Sequence, residues 1–191
     1  MAFSFFAVLS RMKNIHRWAL MRNTRQENIA EHSYETAVLA HVLAEMTNRH
    51  YGGDVDVSRC VTLALYHDAT EILTGDLPTP VKYFNPAIRQ AYRDVEAHAA
   101  DSLLSMLPAD MQDVYAPWVK QEGDELEKRI VKAADKLSAL IKCIEELGQG
   151  NREFASARRA TEQAIREMNL PAALEFLEQY IPAYELPLDD Q

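Results

Sequence analysis

The chain has 191 residues, 48% hydrophobic and 26% charged, proportions that exclude a disordered polypeptide and suit one domain with a substantial core. A net charge of −9 argues against a nonspecific grip on nucleic acid, which depends on a broad basic surface, but leaves room for a small phosphorylated ligand. Two cysteines, Cys60 and Cys143, form neither a disulfide framework nor a zinc-knuckle spacing. No run approaches the roughly 20 apolar residues of a membrane span, and the apolar stretch 3–9 lacks the flanks of a signal peptide. A soluble, cytoplasmic protein with neither a membrane nor a nucleic-acid partner is expected.

Phe5, Val8, Leu9 and Met12 recur at helical spacing and predict an amphipathic first helix. A basic segment follows: Arg11, Lys13, Arg17, Arg22 and Arg25 all precede the first acidic residue, Glu27. It is either a face that pairs with the protein's own acids or an anion site, and Arg17 beside Trp18 suits a phosphate joined to a sugar or base. Asn28 with Glu31 three residues on is a capping-box signature for a helix running to about 49 and stopped by Gly52-Gly53. His32 and His41 both lie on it, but nine residues at about 100° each put them half a turn apart, so they cannot face one metal. His41 reads as a core or interface histidine, and His32 lies near the basic segment.

Val61, Leu65, Ala69 and Ile72 form a stripe that predicts a helix over 58–73, capped by Ser58 and ended by Gly75. Inside it stand His67, Asp68 and Glu71. Burying an imidazole and carboxylates is costly unless something replaces the lost water. Spacings of three and four residues let these side chains share one space, where a divalent cation would satisfy two while the third handles protons. An ordinary solvated helix end is the alternative.

The segment Gly75-Asp76-Leu77-Pro78-Thr79-Pro80 cannot continue a helix. It is either a connector or a stiff frame holding Asp76 and Thr79 toward a ligand. Asn85-Pro86 starts a helix to about 106, and Pro108 opens a shorter one that Pro117 limits. The strongest periodicity spans 124–147, with Ile130, Ala134, Leu137, Ile141 and Ile144 in one stripe. Asp135 lies off that stripe, where spacing does not separate a solvated face from a pocket. Gly148 and Gly150 break the pattern, Asn151 restarts a helix to about 168, and Pro171 begins another that Pro182 closes. The tail from about 183 reads as irregular. With no convincing strand pattern, the fold class is all-α, in a single domain over 1–191.

Together, His32, the pair His67-Asp68 and Asp135 match the H…HD…D signature of HD-domain metal-dependent phosphohydrolases, a signature of moderate specificity. The match extends to Arg17-Trp18, Glu31-His32-Ser33, His67-Asp68-Ala69 with Glu71, and Lys132-Ala133-Ala134-Asp135. It also takes in the specific block Leu73-Thr74-Gly75-Asp76-Leu77-Pro78-Thr79-Pro80-Val81-Lys82-Tyr83-Phe84-Asn85. Over almost its whole length the chain resembles the bacterial YfbR-type 5′-deoxynucleotidases. That resemblance implies an HD-domain helical bundle, a homodimer, and hydrolysis of 2′-deoxyribonucleoside 5′-monophosphates to deoxynucleosides and phosphate. It implies one divalent transition metal, with Co2+ the usual activator in vitro and Mn2+ or Cu2+ as substitutes, held by His32, His67, Asp68 and Asp135. Two imidazoles and two carboxylates are a donor set that suits a first-row transition ion.

On this reading an ion-activated water is the nucleophile, Glu71 shuttles protons and Arg17 clamps phosphate. The expected substrate contacts are Arg17, Trp18, His32, Asp76, Leu77, Pro78, Thr79 and Asp135, with Trp18 and the loop 76–79 crowding the 2′ position. Three other readings stay open. One is an HD phosphohydrolase for a nucleoside triphosphate, a cyclic dinucleotide or a guanosine tetraphosphate alarmone; another is a nucleotide-binding helical module without turnover; the third is a plain structural helical protein.

Overall fold

A computed structural model of the chain describes residues 2–82 and 84–190, with all of their side chains except that of Thr79. Among them no strand forms, and the one extended pairing is an antiparallel bridge between His16 and Asn28. The helices are α1 (Phe5–Leu9), α2 (Ile29–Tyr51), α3 (Val57–Tyr66), α4 (Glu71–Thr74), α5 (Thr79–Lys82), α6 (Pro86–Leu104), α7 (Ala109–Val119), α8 (Glu125–Gly148), α9 (Ala155–Glu167) and α10 (Pro171–Gln179). None is long and apolar enough to cross a membrane.

The two long helices are delimited by local chemistry. Asn28 Oδ1 accepts from the amides of Ala30 and Glu31 at 3.0 Å each, and Glu31 reaches back to the Asn28 amide at 3.3 Å. This closes the capping box expected for α2. Gly52 ends α2 at φ +66°, a left-handed state that glycine enters without a Cβ clash. Asp124 and Glu127 make a second capping box at the start of α8. The predicted stripe on α8 is the spine of the molecule: Ile130, Ala134 and Leu137 are wholly buried, with Ile141 and Ile144 nearly so. It packs against α2, α3, α9 and α10.

A second, smaller core joins Phe5, Ala69, Ala100, Leu103, Leu104, Leu107 and Val119. Cys60, Leu63 and Ala64 of α3 belong to the main core, so the chain passes from one core to the other between residues 64 and 69. That seam corrects the helix predicted over 58–73. Asp56, not Ser58, caps α3 by accepting from the Arg59 amide at 3.0 Å. The helix ends at Tyr66, and residues 67–70 form tight turns in which Ala69 N bonds Tyr66 O and Glu71 N bonds Asp68 O, both at 3.0 Å. The tightening turns Ala69 into the second core, while Leu65, assigned to the predicted stripe, is exposed.

Smaller corrections have local causes. α1 stops at Leu9 and passes into a 3-10 turn (Ser10–Asn14) that still buries Met12. Pro117 does not limit α7, which runs through it to Val119. Pro80 sits in the first turn of α5, where the missing proline donor costs nothing. Asn151 caps a 3-10 turn (Arg152–Phe154) ahead of α9, and Pro182 lies within a further 3-10 turn (Ile181–Glu185). His41 is exposed and not part of the core.

Candidate metal centre

Three elements converge on one point: the start of α2, the turn after α3, and the middle of α8. His32 Nε2 lies 3.1 Å from Asp135 Oδ1 and 3.2 Å from His67 Nε2. Asp68 Oδ2 lies 3.2 Å from His67 Nε2 and 3.6 Å from His32 Nε2. Donor atoms of His32, His67 and Asp135 all fall within 4.8 Å of one another. Two imidazole nitrogens facing each other at 3.2 Å between two carboxylates are the donors a single divalent ion requires. The four residues therefore fit such an ion.

The rings are held in the matching tautomer. His67 Nδ1 donates to Ala64 O at 2.7 Å, which leaves the Nε2 lone pair free. His32 is wholly buried, and its Nδ1 lies 2.9 Å from Ser138 Oγ, whose hydroxyl donates to Glu35 at 2.5 Å. Ser138 therefore accepts from His32 Nδ1–H, and this Nε2 also points into the cluster as an acceptor. Burial and the nearby Arg17 hold the His32 pKa below its ordinary value, which favours the neutral, ligating form. Burial also disfavours charge on His67, but Asp68 and Asp135 outweigh it and raise its pKa to about 9. A bound cation would displace that proton.

Around the cluster stand the other predicted residues. Burial opposes the Arg17 charge, but Glu27, Asp135, Asp68 and Asp76 more than offset it and raise its pKa. Arg17 is thus a permanent cation facing the donor cluster. Its neighbour Trp18 adopts φ +59° and packs against Phe154 with ring centroids 5.3 Å apart. Glu71 is buried, and its Oε2 makes no hydrogen bond among the described residues. Burial, then Asp68 and Asp76, push its pKa up to about 9. Burial and Asp68 raise the Asp76 pKa against the pull of Arg17 and the nearby Trp18 amide. Leu77 and Pro78 are half-buried in the same loop, where Pro78 O accepts from Val81 and Lys82 at 2.8 and 3.1 Å. The Thr79 side chain lies outside the described residues, as does Tyr83 of the motif block.

Part of the basic segment does pair with the protein's own acids. Arg22 meets Glu153 at 2.7 Å, and Arg17 meets Glu27 at 2.8 Å. Sequence reasoning missed Glu27, Ser138 and Glu35. Ser138 stands three residues after Asp135, a helical spacing that points it the same way. Glu27, one residue before a helix cap, carries no such signal.

An all-helical bundle with a His, His-Asp and Asp cluster between its long helices defines the HD-domain phosphohydrolase class. A crystal structure of an HD-domain phosphohydrolase from Listeria innocua superposes with a TM-score of 0.84 at 27% identity, covering 95% of this chain and 88% of that one. The HD phosphohydrolase of cyanophage S-2L, bound to dA and one catalytic Zn2+ ion, shares the fold at a TM-score of 0.69 and 18% identity, over 97% of this chain and 99% of that one. The sequence is 48% identical over 187 residues to a 5′-deoxynucleotidase of Vibrio vulnificus, covering 97% of this chain and 96% of the relative. It is 47% identical to 5′-deoxynucleotidase YfbR of Escherichia coli O1:K1, covering 97% and 94%. Residues 4–184 match the 5′-deoxynucleotidase YfbR-like family, and the chain belongs to it.

Proposed function

We propose that this chain hydrolyses 2′-deoxyribonucleoside 5′-monophosphates to deoxynucleosides and phosphate. Membership of the YfbR-like family makes it a hydrolase of phosphoric monoesters. The observation that carries the proposal is the convergence of His32, His67 and Asp135, with Asp68 against both imidazoles, beside Arg17 and a Glu71 whose Oε2 has no hydrogen-bond partner among the described residues. A divalent ion held by His32, His67, Asp68 and Asp135 would supply Lewis acidity and lower the pKa of water at the phosphate.

The protein's own groups do the rest. Arg17 binds the nonbridging oxygens, where charge must be stabilised as the phosphoryl group transfers. Glu71 holds a proton near neutral pH because burial and two neighbouring carboxylates disfavour its anion, and it gives that proton to the departing 5′ oxygen. Trp18 and the Asp76 loop crowd the sugar's 2′ position. Such a penalty is needed because an apolar pocket alone rejects an added hydroxyl by only about 10². The working form is a cytoplasmic homodimer, with Co2+ as the activator in vitro and Mn2+ or Cu2+ as substitutes.

Phosphate release from dAMP, AMP and dATP, before and after metal removal and Co2+ return, tests the proposal. Metal-dependent release from dAMP well above AMP is expected. Equal rates on dAMP and AMP, or a preference for dATP, would refute the substrate assignment.

A further inference from the structure

We infer that Glu27 is a positioning residue that aims the phosphate clamp and the sugar discriminator as one unit. The inference rests on the roles proposed above for Arg17 and Trp18. A single carboxylate oxygen, Oε2, accepts from Arg17 Nη1 at 2.8 Å and from Trp18 Nε1 at 3.0 Å. Consecutive side chains on an extended segment point to opposite sides. Here both reach one atom because Trp18 has φ +59°, a backbone state that a bulky residue holds only when its surroundings over-determine it.

The surroundings do so from several directions. The Arg17 amide donates to Glu27 O at 2.9 Å and the Ile29 amide to Ile15 O at 3.0 Å, so a backbone bridge sets Glu27 opposite the Arg17-Trp18 pair. Trp18 O accepts from the Met21 amide at 2.8 Å and from Asn23 Nδ2 at 3.3 Å. Glu27 directly precedes Asn28, the cap of α2, and α2 carries His32. The carboxylate is therefore referenced to the helix that presents a metal ligand.

Glu27 also decides where Arg17 does not go. The side chains of both are only 12% exposed. Besides Glu27, the carboxylates acting on this guanidinium are Asp135, Asp68 and Asp76. Without Glu27 the cation would be drawn onto Asp68 or Asp135 and compete with the metal ion for its own ligands. Glu27 occupies the Nη1 end of a group with five N–H donors, leaving the remainder of the fork to phosphate oxygens.

The test uses Glu27→Ala and Glu27→Gln in the full chain. Glutamine keeps an oxygen acceptor within the same reach. Only two tryptophans, Trp18 and Trp118, are present, so two indole N–H signals appear in a nitrogen-resolved NMR spectrum, and Trp18→Phe assigns them. In Glu27→Ala, solvent exchange of the Trp18 indole proton should quicken at least about tenfold. Its ratio of dAMP to AMP turnover should fall at least about tenfold, toward the roughly hundredfold that an apolar pocket alone supplies, with KM for dAMP raised more than kcat is lowered. Glu27→Gln should restore indole protection and most of the selectivity. An indole signal unmoved by Glu27→Ala, which needs no substrate, overturns the positioning role by itself; so does an unchanged dAMP to AMP ratio. A parent enzyme without deoxy preference defeats the substrate reading and the inference with it. Should Glu27→Ala not fold, Glu27→Asp, one methylene shorter, is expected to show the same indole exchange, and protection equal to the parent's refutes the role.

Discussion

Glu71 has a buried carboxyl oxygen with no hydrogen-bond partner among the described residues, and that deficit can be measured. An unfolded glutamate titrates near 4.3, whereas burial and the adjoining Asp68 and Asp76 raise the folded value to about 9. As pH climbs between those limits the unfolded chain gives up this proton and the folded chain keeps it, so stability of the metal-free protein declines across the window. Glu71→Gln has no proton to lose. Metal-free, it should resist urea better than the parent near about pH 8 and no better near about pH 4. The same variant should lose about 10²–10⁴ in turnover if Glu71 is the general acid, with metal affinity intact. Ser138 offers a second test, since its oxygen is the acceptor that orients His32. Ser138→Ala should weaken metal binding by about 10–100-fold, read by competition titration, and unaltered affinity would remove Ser138 from the centre's support.

Between elements, the basic segment is fastened to α8 through Glu146, which is 1% exposed. This carboxylate accepts from Lys142 Nζ at 2.5 Å, the Thr24 amide at 2.9 Å, the Thr24 hydroxyl at 2.7 Å and Asn151 Nδ2 at 2.7 Å. Burial works against its charge, but these four donors outweigh it and hold its pKa well below the ordinary range. A depressed folded value means stability that is complete above the unfolded pKa and lost as pH falls below it. Glu146→Gln should flatten the acid limb of the stability profile. It should also cost about 3–5 kcal/mol at neutral pH, because buried Lys142 loses its counter-charge. Denaturant titrations over a pH series would show both effects. The loop that carries Arg17 and Trp18 would loosen with it, since Asn151 also binds Arg22 O at 2.7 Å.

For the molecule as a whole, an ion that binds only the folded state adds about 2.7 kcal/mol at a free concentration of 100 times its Kd. In a chain of this size that corresponds to a rise in Tm of roughly 5–10 °C. Calorimetry with Co2+, and again after chelation, should show the rise and its loss. His67→Ala, lacking one donor, should show little of it. The two cores make the coupling direct, because the ligand turn 67–70 joins them.

How much of this was legible in the sequence depended on distance along the chain. The capping box at Asn28, the stop at Gly52 and the buried stripe of α8 were readable because each is decided within a turn or two of helix; the second box at Asp124 is equally local but was not read. The side chains of the candidate metal centre were named as well, through the resemblance their motifs carry. The break after Tyr66 was not, because an apolar repeat does not reveal that Ala64 and Ala69 belong to different cores. Nor could spacing say which way Asp135 faces: it meets His32 across 103 residues, and only the packing of α2 on α8 brings them to 3.1 Å. The shared carboxylate of Glu27, the Ser138 support of His32 and the unsatisfied oxygen of Glu71 are likewise products of tertiary structure. Local preferences choose helices and their ends, whereas a buried polar group's partners are chosen by whichever distant elements pack against it.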